Sequence, residues 1–395
     1  MSMNVLEESV QQTKDEGPVK GELLSRFQTS KKDFQFETIP VKGYEYVVKI
    51  INNKTGLKAI VAVHNTTLGP ALGGTRIRAY SGFDEALEDV LRLSKGMTYK
   101  SAIVDVGLGG GKSVIIADPH KDKTPELLLS FAEALNILKG RYICAEDVGV
   151  TPEDTGIFMR KTKYVVGLPG KSGSGNPAPF TAWGTYRGIQ SVVKYLYGTD
   201  NLEGKKVAIQ GLGQVGLFLC HYLFWAGADL IVTDVHDEKV EKVKKLYGAE
   251  YVPPEEIYDV PCDVFAPCAL GGTINAKTIS RLKCKAVAGC ANNQLEKDED
   301  AEFLRKRHIL YAPDFVINAG GLLNVTSEID IDGYTPKVPR LKTHRIYDRL
   351  ISIYEIAKKN QISTHQAAIS LADYRIKYGI GRRVEPPHFH HTTDL

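Results

Sequence analysis

The segment "GMTYKSAIVDVGLGGGKSVI", Gly96 to Ile115, sets Lys100 and Lys112 twelve residues apart among apolar and glycine residues, with Asp105 the only other charge. A glycine loop would let Lys112 enter a desolvated cleft, where burial and a nearby cation such as Lys100 both disfavour the ammonium form. Bringing Lys112 from about 10.4 to about 7 or 8 takes roughly 3–4 kcal/mol of differential destabilisation, after which it serves as a general base at neutral pH. Lys100, kept charged with Lys112 nearby, would hold a substrate carboxylate. Asp147, ending the run "YICAEDVG", would relay protons or orient the amine. Surface ion pairs for the lysines and a helix N-cap for Asp147 fit the same spacing, and spacing alone does not separate the two readings. A phosphate loop is excluded by counting: GxxxxGK[ST] needs glycine at 106, which is Val106, and Gly107 is one place too close.

A second constellation is "VAIQGLGQVG", where Gly211, Gly213 and Gly216 form GxGxxG with Leu212, Gln214 and Val215 between them. The pattern alone is weak. Here a β-rich run precedes it, a helical run follows, and Asp234 lies 23 residues after Gly211 at the end of "LIVTD", the context of a dinucleotide site. The glycines would permit a tight turn, close approach of a pyrophosphate and close helix packing. Asp234 would accept from ribose hydroxyls and repel a 2′-phosphate, pointing to NAD, a preference that His236 and Lys239 soften.

The elements that must carry these residues alternate. Around Asn52 to Gly56 two β-rich runs make a hairpin. "DEALEDVLRLSKGM" has helical spacing, though whether Lys100 ends that helix or begins a strand stays open. "KSVIIADP" and "RYICAEDVGV" read as strands, each followed by a Thr-Pro helix start, Thr124-Pro125 and Thr151-Pro152. Past the Gly/Ser/Pro-rich "GKSGSGNPAPF", a hinge or boundary, a second series has strands at 206–210, 230–233, 264–266, 286–288 and 309–311. The class is α/β: an N-terminal α/β substrate and oligomerisation domain plus a Rossmann-type, doubly wound dinucleotide domain. The expected boundaries are an arm at 1–40, the catalytic domain at 41–180 completed by helices within 341–380, the Rossmann domain at 181–340 and a flexible tail at 381–395. Three histidines in that tail are read as part of a disordered end, not a metal site.

With 395 residues, 43% apolar and 25% charged residues and a net charge of +3, the chain has room for two domains and no charge excess suited to nucleic acid or a membrane. Six cysteines without a CxxC pair, and no apolar leader or span, imply reduced thiols, no metal site and a soluble, cytoplasmic protein.

"TTLGPALGGTR", "GMTYK", "LGGGK", "AEDVG", "SGNPAPFTAWGTYRG", "GLGQVG", "APCALGGTIN", "ANNQL" and "INAGGLLNV" occur in the order typical of one family. Over about residues 44 to 360 the chain resembles the leucine, valine and phenylalanine dehydrogenases, relatives of glutamate dehydrogenase. The resemblance implies reversible oxidative deamination of an L-amino acid to its 2-oxo acid and ammonia, with NAD as hydride acceptor, in a homo-oligomer between dimer and octamer. It makes Lys112 the catalytic lysine, Asp147 the proton shuttle and Lys100 the ligand of the α-carboxylate. It makes Asn292 a ligand of substrate and nicotinamide, puts Thr181 and Asn318 beside the nicotinamide amide, adds Ala269 to the dinucleotide site and offers Arg76 as a cofactor contact.

Leu72, Gly73, Ala145, Leu322 and Val325 are the expected side-chain pocket. Glutamate enzymes carry a lysine at the place of Leu72 and a small hydroxyl residue at that of Val325. A distal carboxylate here would be buried unpaired at several kcal/mol, so glutamate should be rejected. Leu322 resembles the phenylalanine type and Ala145 the leucine type, leaving aliphatic and aromatic substrates open. Trp183 and Gln214 depart from the usual residues, which bears on chain-length preference and assembly. Two other classes fit parts of the sequence: a 2-hydroxy acid dehydrogenase, which needs a catalytic histidine for which only His64 lies near a motif, and a non-catalytic NAD sensor, which needs neither lysine.

Overall fold

The computed structural model describes residues 33–170 and 173–391, so most of the expected arm lies outside the described residues. Its last part is not loose. Phe34–Thr38 forms strand β1, paired antiparallel with β2 (Tyr46–Asn52). Phe34 and Phe36 alternate with exposed Gln35 and Glu37 and pack against the core, a period-2 pattern that the polar residues around it hide.

The first sheet continues through β3 (Leu57–Asn65), β4 (Ala71–Arg78), β5 (Gly109–Ile116) and β6 (Tyr142–Ala145), in the order β1-β2-β3-β5-β4-β6. β1, β2, β3 and β5 pair antiparallel; β5, β4 and β6 pair parallel. Helix α1 (Phe83–Val104) covers one face, and α2 (Pro125–Leu135) and α3 (Pro152–Met159) pack on the other. Both Thr-Pro starts form as expected: the Thr124 side chain accepts from Leu127 N, and Thr151 forms a capping box with Asp154.

One open point is resolved here and one reading corrected. Lys100 lies inside α1, which runs on to Val104 and ends at Asp105 in the left-handed region (φ 66°). The glycines before Lys112 form no loop but the first half of β5. A Cβ on Gly110 would lie 2.1 Å from Thr98 N in α1, and one on Gly111 would lie 2.7 Å from the Tyr142 ring. Helix and sheet therefore meet backbone to backbone, and tertiary contact overrides the poor strand propensity of glycine.

Helix α4 (Ala178–Tyr197) leads into a six-stranded, all-parallel sheet in the order β12-β11-β10-β7-β8-β9. Its strands are β7 (Lys206–Gln210), β8 (Asp229–Thr233), β9 (Glu250–Tyr251), β10 (Cys262–Pro267), β11 (Cys284–Val287) and β12 (Leu310–Tyr311). The sequence reading misses only β9, two exposed residues long. The intervening helices are α5 (Gln214–Trp225), α6 (Asp237–Tyr247), α7 (Ala276–Arg281) and α8 (Asp300–Lys306). This is the doubly wound dinucleotide fold.

Beyond it, α9 (Asp314–Ile317) and α10 (Gly320–Thr326) precede α11 (Lys337–His344), α12 (Ile346–Asn360) and α13 (Thr364–Lys377). The last packs back on α1, with Arg349 and Arg375 both paired to Asp105. Residues 381–391, expected to be flexible, lie against the first domain through backbone hydrogen bonds from Arg383 to Leu68 and from His388 to Ile329. No helix among the described residues is long and apolar enough to cross a membrane.

Gly110→Ala should lower the thermal unfolding midpoint, costing about 1–3 kcal/mol or more because the crowding atoms are backbone. Gly96→Ala, in the same helix-sheet layer but with open space at its Cβ, should gain about 0.5–1 kcal/mol. Calorimetry of both variants checks the contrast.

Candidate active site

The glycine contact sets the two lysines: Lys112 projects from β5, Lys100 sits two residues past Thr98 on α1, and both line one cleft of about 380 Å³. That volume suits a small metabolite and one ring of a cofactor. Leu72, Gly74, Arg76, Ala145 and Asp147 line it from the first sheet; Asn292, Asn318, Leu322 and Val325 line it from the second half of the chain.

Lys112 is 4% exposed, and its Nζ lies 3.0 Å from Asp147 Oδ1. Burial lowers its pKa, Asp147 works against that, and the Arg76 guanidinium adds to the lowering. The cation acting beside burial on Lys112 is thus Arg76, where the sequence suggested Lys100. Arg76 Nε donates to Asp147 Oδ2 at 2.8 Å and its Nη1 to Asp89 Oδ2 at 2.8 Å. Burial raises the Asp147 carboxyl, but Lys112 and Arg76 together overcome it and bring the group to about 2. Asp147 is no helix cap, since Thr151 fills that place. Its approach depends on Gly74, where a Cβ would lie 2.4 Å from the Glu146 carbonyl oxygen and 2.8 Å from Asp147 Cβ.

Lys100 Nζ donates to Asn318 Oδ1 at 2.7 Å, and Asn318 Nδ2 donates to Asn292 Oδ1 at 2.7 Å and to the Cys290 carbonyl. Burial brings Lys100 down to about 8, with Asp314 the main opposing charge; it is therefore less firmly charged than expected, though still mostly protonated at pH 7. Thr181 also lines the cleft.

Two expectations change. Arg76 has its Nε and Nη1 engaged by carboxylates of the first domain, an occupation unlike the expected cofactor contact. Gly73 lies behind the surface: its carbonyl accepts from Tyr142 OH, and a Cβ would lie 1.8 Å from the Gly111 carbonyl oxygen. Its neighbour Gly74 faces the cleft instead. Sequence reasoning missed Asp89, an acid within a largely apolar stripe of α1 that also accepts from Tyr80 OH, and that misplacement was its one signal. It also missed Glu146, a cleft residue that burial, Asp147, Glu153 and Glu328 push up to about 7. His64 is absent from the cleft lining; its Nδ1 pairs with Thr98 Oγ1, and burial and Lys95 lower it to about 4.

At the C-terminal end of β7 the three glycines do different jobs. Gly211 has φ 104°, and a Cβ there would meet Ala269 Cβ at 2.7 Å; Gly216 would put its Cβ 2.1 Å from the Gly211 carbonyl oxygen. Only Gly213 faces open space, at the N-terminus of α5, where a pyrophosphate would be received. Leu212 N donates to Asp234 Oδ2 at 2.6 Å and His236 N to Oδ1 at 2.9 Å, with Lys239 Nζ at 3.9 Å. These residues fit a dinucleotide. Gln214 accepts from Asn176 Nδ2, tying this loop to the segment between the domains, and Val215 reaches the cleft.

Leu72, Ala145, Leu322 and Val325 are buried in one apolar cluster with Leu108, Ile143, Val166 and Ile329.

Comparison with known proteins agrees with this geometry. The family model described as "Glu/Leu/Phe/Val dehydrogenase, dimerisation domain" matches residues 44–164, and "Glutamate/Leucine/Phenylalanine/Valine dehydrogenase" matches residues 226–372. The chain is 49% identical to the leucine dehydrogenase of Thermoactinomyces intermedius over 87% of this chain and 93% of that protein. It is 46% identical to the phenylalanine dehydrogenase of Caldalkalibacillus thermarum, over 85% and 92%. The crystal structure of L-tryptophan dehydrogenase from Nostoc punctiforme superposes with a TM-score of 0.76 at 45% identity, covering 85% of this chain and 97% of that one. The nine motifs, the paired lysines and these matches lead to one conclusion: the chain belongs to the Glu/Leu/Phe/Val dehydrogenase family.

Proposed function

We propose that this amino acid dehydrogenase oxidatively deaminates an apolar L-amino acid with NAD, using Lys112 as base, Asp147 as proton shuttle and Lys100 as the α-carboxylate ligand. The observation that carries the reading is the Lys112–Asp147 pair at 3.0 Å in a cleft shared with Lys100 and Asn318. The chemistry a bound nicotinamide would supply is acceptance of the substrate's α-hydride, which would leave the substrate as an iminium. Neutral Lys112 removes a proton from water as its oxygen bonds to the iminium carbon. Asp147, held between Lys112 and Arg76, relays the proton collected by Lys112 to the amine, and Lys112, neutral again, takes the hydroxyl proton as the C–N bond breaks and the carbonyl forms, so that ammonia and the 2-oxo acid result. Lys100 pairs with the α-carboxylate, and Asn318 and Asn292, joined to it by hydrogen bonds, orient the amide of the cofactor and the substrate. Leu72, Ala145, Leu322 and Val325 receive the apolar side chain.

Asp234 supports NAD over NADP, because its carboxylate, pinned by Leu212 N and His236 N, would stand against a 2′-phosphate. The matched dimerisation domain supports a homo-oligomer, and the reduced thiols a cytoplasmic setting. The 2-hydroxy acid reading loses support because no histidine lines the cleft among the described residues. A bare NAD sensor would have no use for a buried lysine and a second, half-buried one in the same cleft.

An initial-rate panel tests the reading. Leucine, valine or phenylalanine should reduce NAD⁺, with NADP⁺ poorer, glutamate slower by about 10²-fold or more, and the reverse reaction dependent on ammonia. NADH oxidation with a 2-oxo acid in the absence of ammonia would defeat it.

Lys112→Ala should lose about 10²–10⁴-fold in kcat while NADH binding, followed by fluorescence, stays intact. A variant retaining turnover removes Lys112 from the chemistry.

The pH profile carries a sign. Deamination requires neutral Lys112, so kcat/KM should rise with pH through an acid limb below the ordinary lysine value, burial being the cause. Asp147 stabilises the ammonium, so Asp147→Asn should lower the plateau and shift this limb to lower pH. Residual rates measured across the limb decide; a shift upward contradicts the assignment.

A further inference from the structure

The second family match ends at residue 372, yet the chain runs on and crosses the back of the substrate pocket. We propose that residues 381–391 form a strap that backs the side-chain pocket, with the bulk of Phe389 limiting the size of side chain accepted. The inference rests on the amino acid dehydrogenase reading given above.

Leu322 and Val325 lie on α10, which runs directly into the turn Ser327–Ile329. Ile329 belongs to the same buried cluster, and Phe389 packs against that cluster from the strap. Its ring stands edge-on to Tyr164 at 5.6 Å and 84°, so it is held from its far side as well. The strap is fastened to backbone carbonyls along its length. Arg383 N donates to Leu68 O at 2.8 Å and Arg383 Nη2 to Ile329 O at 2.6 Å. His388 N donates to the same Ile329 carbonyl at 3.2 Å. His390 and His391 pair through Nε2 with the Asp330 and Lys163 carbonyls at 2.8 and 3.1 Å.

The turn is clamped from the other direction too. Glu328 Oε1 accepts from the backbone N–H groups of Gly167, Leu168 and Ser174 at 3.0, 3.1 and 2.7 Å. With Ile329 tied to the strap and Glu328 tied to that segment, α10 has little freedom to retreat when a larger side chain enters. A close-packed wall transmits such resistance, because its second layer must move with the first. Phe389 is therefore a positioning residue: it touches no substrate but fixes the wall that does. Truncating it leaves a void into which neighbours relax in part, and that relaxation is the room a bulkier substrate needs.

The test compares kcat/KM for valine, leucine, phenylalanine and tryptophan in the wild type, Phe389→Leu and Phe389→Ala. The phenylalanine-to-leucine ratio should rise about five-fold or more in Phe389→Ala, mainly through KM, with Phe389→Leu between. Should the alanine variant not fold, the smaller change to leucine still reads the ratio. A ratio within about two-fold of wild type in the folded variants, with kcat falling alike for every substrate, overturns the strap and leaves the dehydrogenase reading intact. A wild type that turns over none of the four amino acids overturns both.

Discussion

The structure turns on an amine that is 4% exposed and yet not stranded. An unpaired ammonium at that depth would cost several kcal/mol, and the chain meets this with an alternating row: Lys112, Asp147, Arg76 and Asp89. Arg92 closes the row on the other oxygen of Asp89, so every member stays close to an opposite charge. The row also sets the opposing pulls on Lys112. Asp147 alone would hold the amine firmly protonated, but Arg76 draws on the same carboxylate and pushes as a cation in its own right. Removing any one member would shift the titration of the others, as coupled sites must.

That row lies within one domain, while the chemistry needs a cofactor bound to the other. The hydrogen-bonded sequence Lys100–Asn318–Asn292 runs from α1 to residues following α9 and β11, joining the two. Because α1 also packs on α13 and carries the end residue Asp105 that pairs with Arg349 and Arg375, the helix bearing Lys100 is anchored from both halves of the chain. Closure of such a cleft excludes water, which strengthens each of these electrostatic contacts.

Local chemistry was legible in the sequence; contact was not. Thr124 and Thr151 cap their helices because capping needs only neighbours within three residues. The glycines at 211, 213 and 216 take three distinct roles because a strand-turn-helix is a local unit. By contrast, the glycines at 109–111 read as a loop, since nothing local favours them in a strand; they belong to one because α1 and Tyr142 leave no room for a side chain. Asp89 was invisible because its partners, Arg76 and Tyr80, come from an adjoining strand and loop. The tail was read as loose from its prolines and polar residues, but its order comes from carbonyl groups at 68, 163, 329 and 330 that no sequence pattern announces.

The two lysines also regulate each other through the substrate. Lys100 is brought to about 8, chiefly by burial and in part by the charge on Lys112. Linkage is reciprocal, and a charged Lys100 must likewise disfavour charge on Lys112. On the proposed reading, an α-carboxylate beside Lys100 would favour its charged form and offset its field, while the Arg76 guanidinium, on the other oxygen of Asp147, goes on lowering Lys112. On that reading substrate binding would divide the labour that the spacing of twelve residues left undecided: the lysine facing the carboxylate would be fixed as cation, and the one facing Asp147 would keep the lowered affinity for a proton that water activation requires.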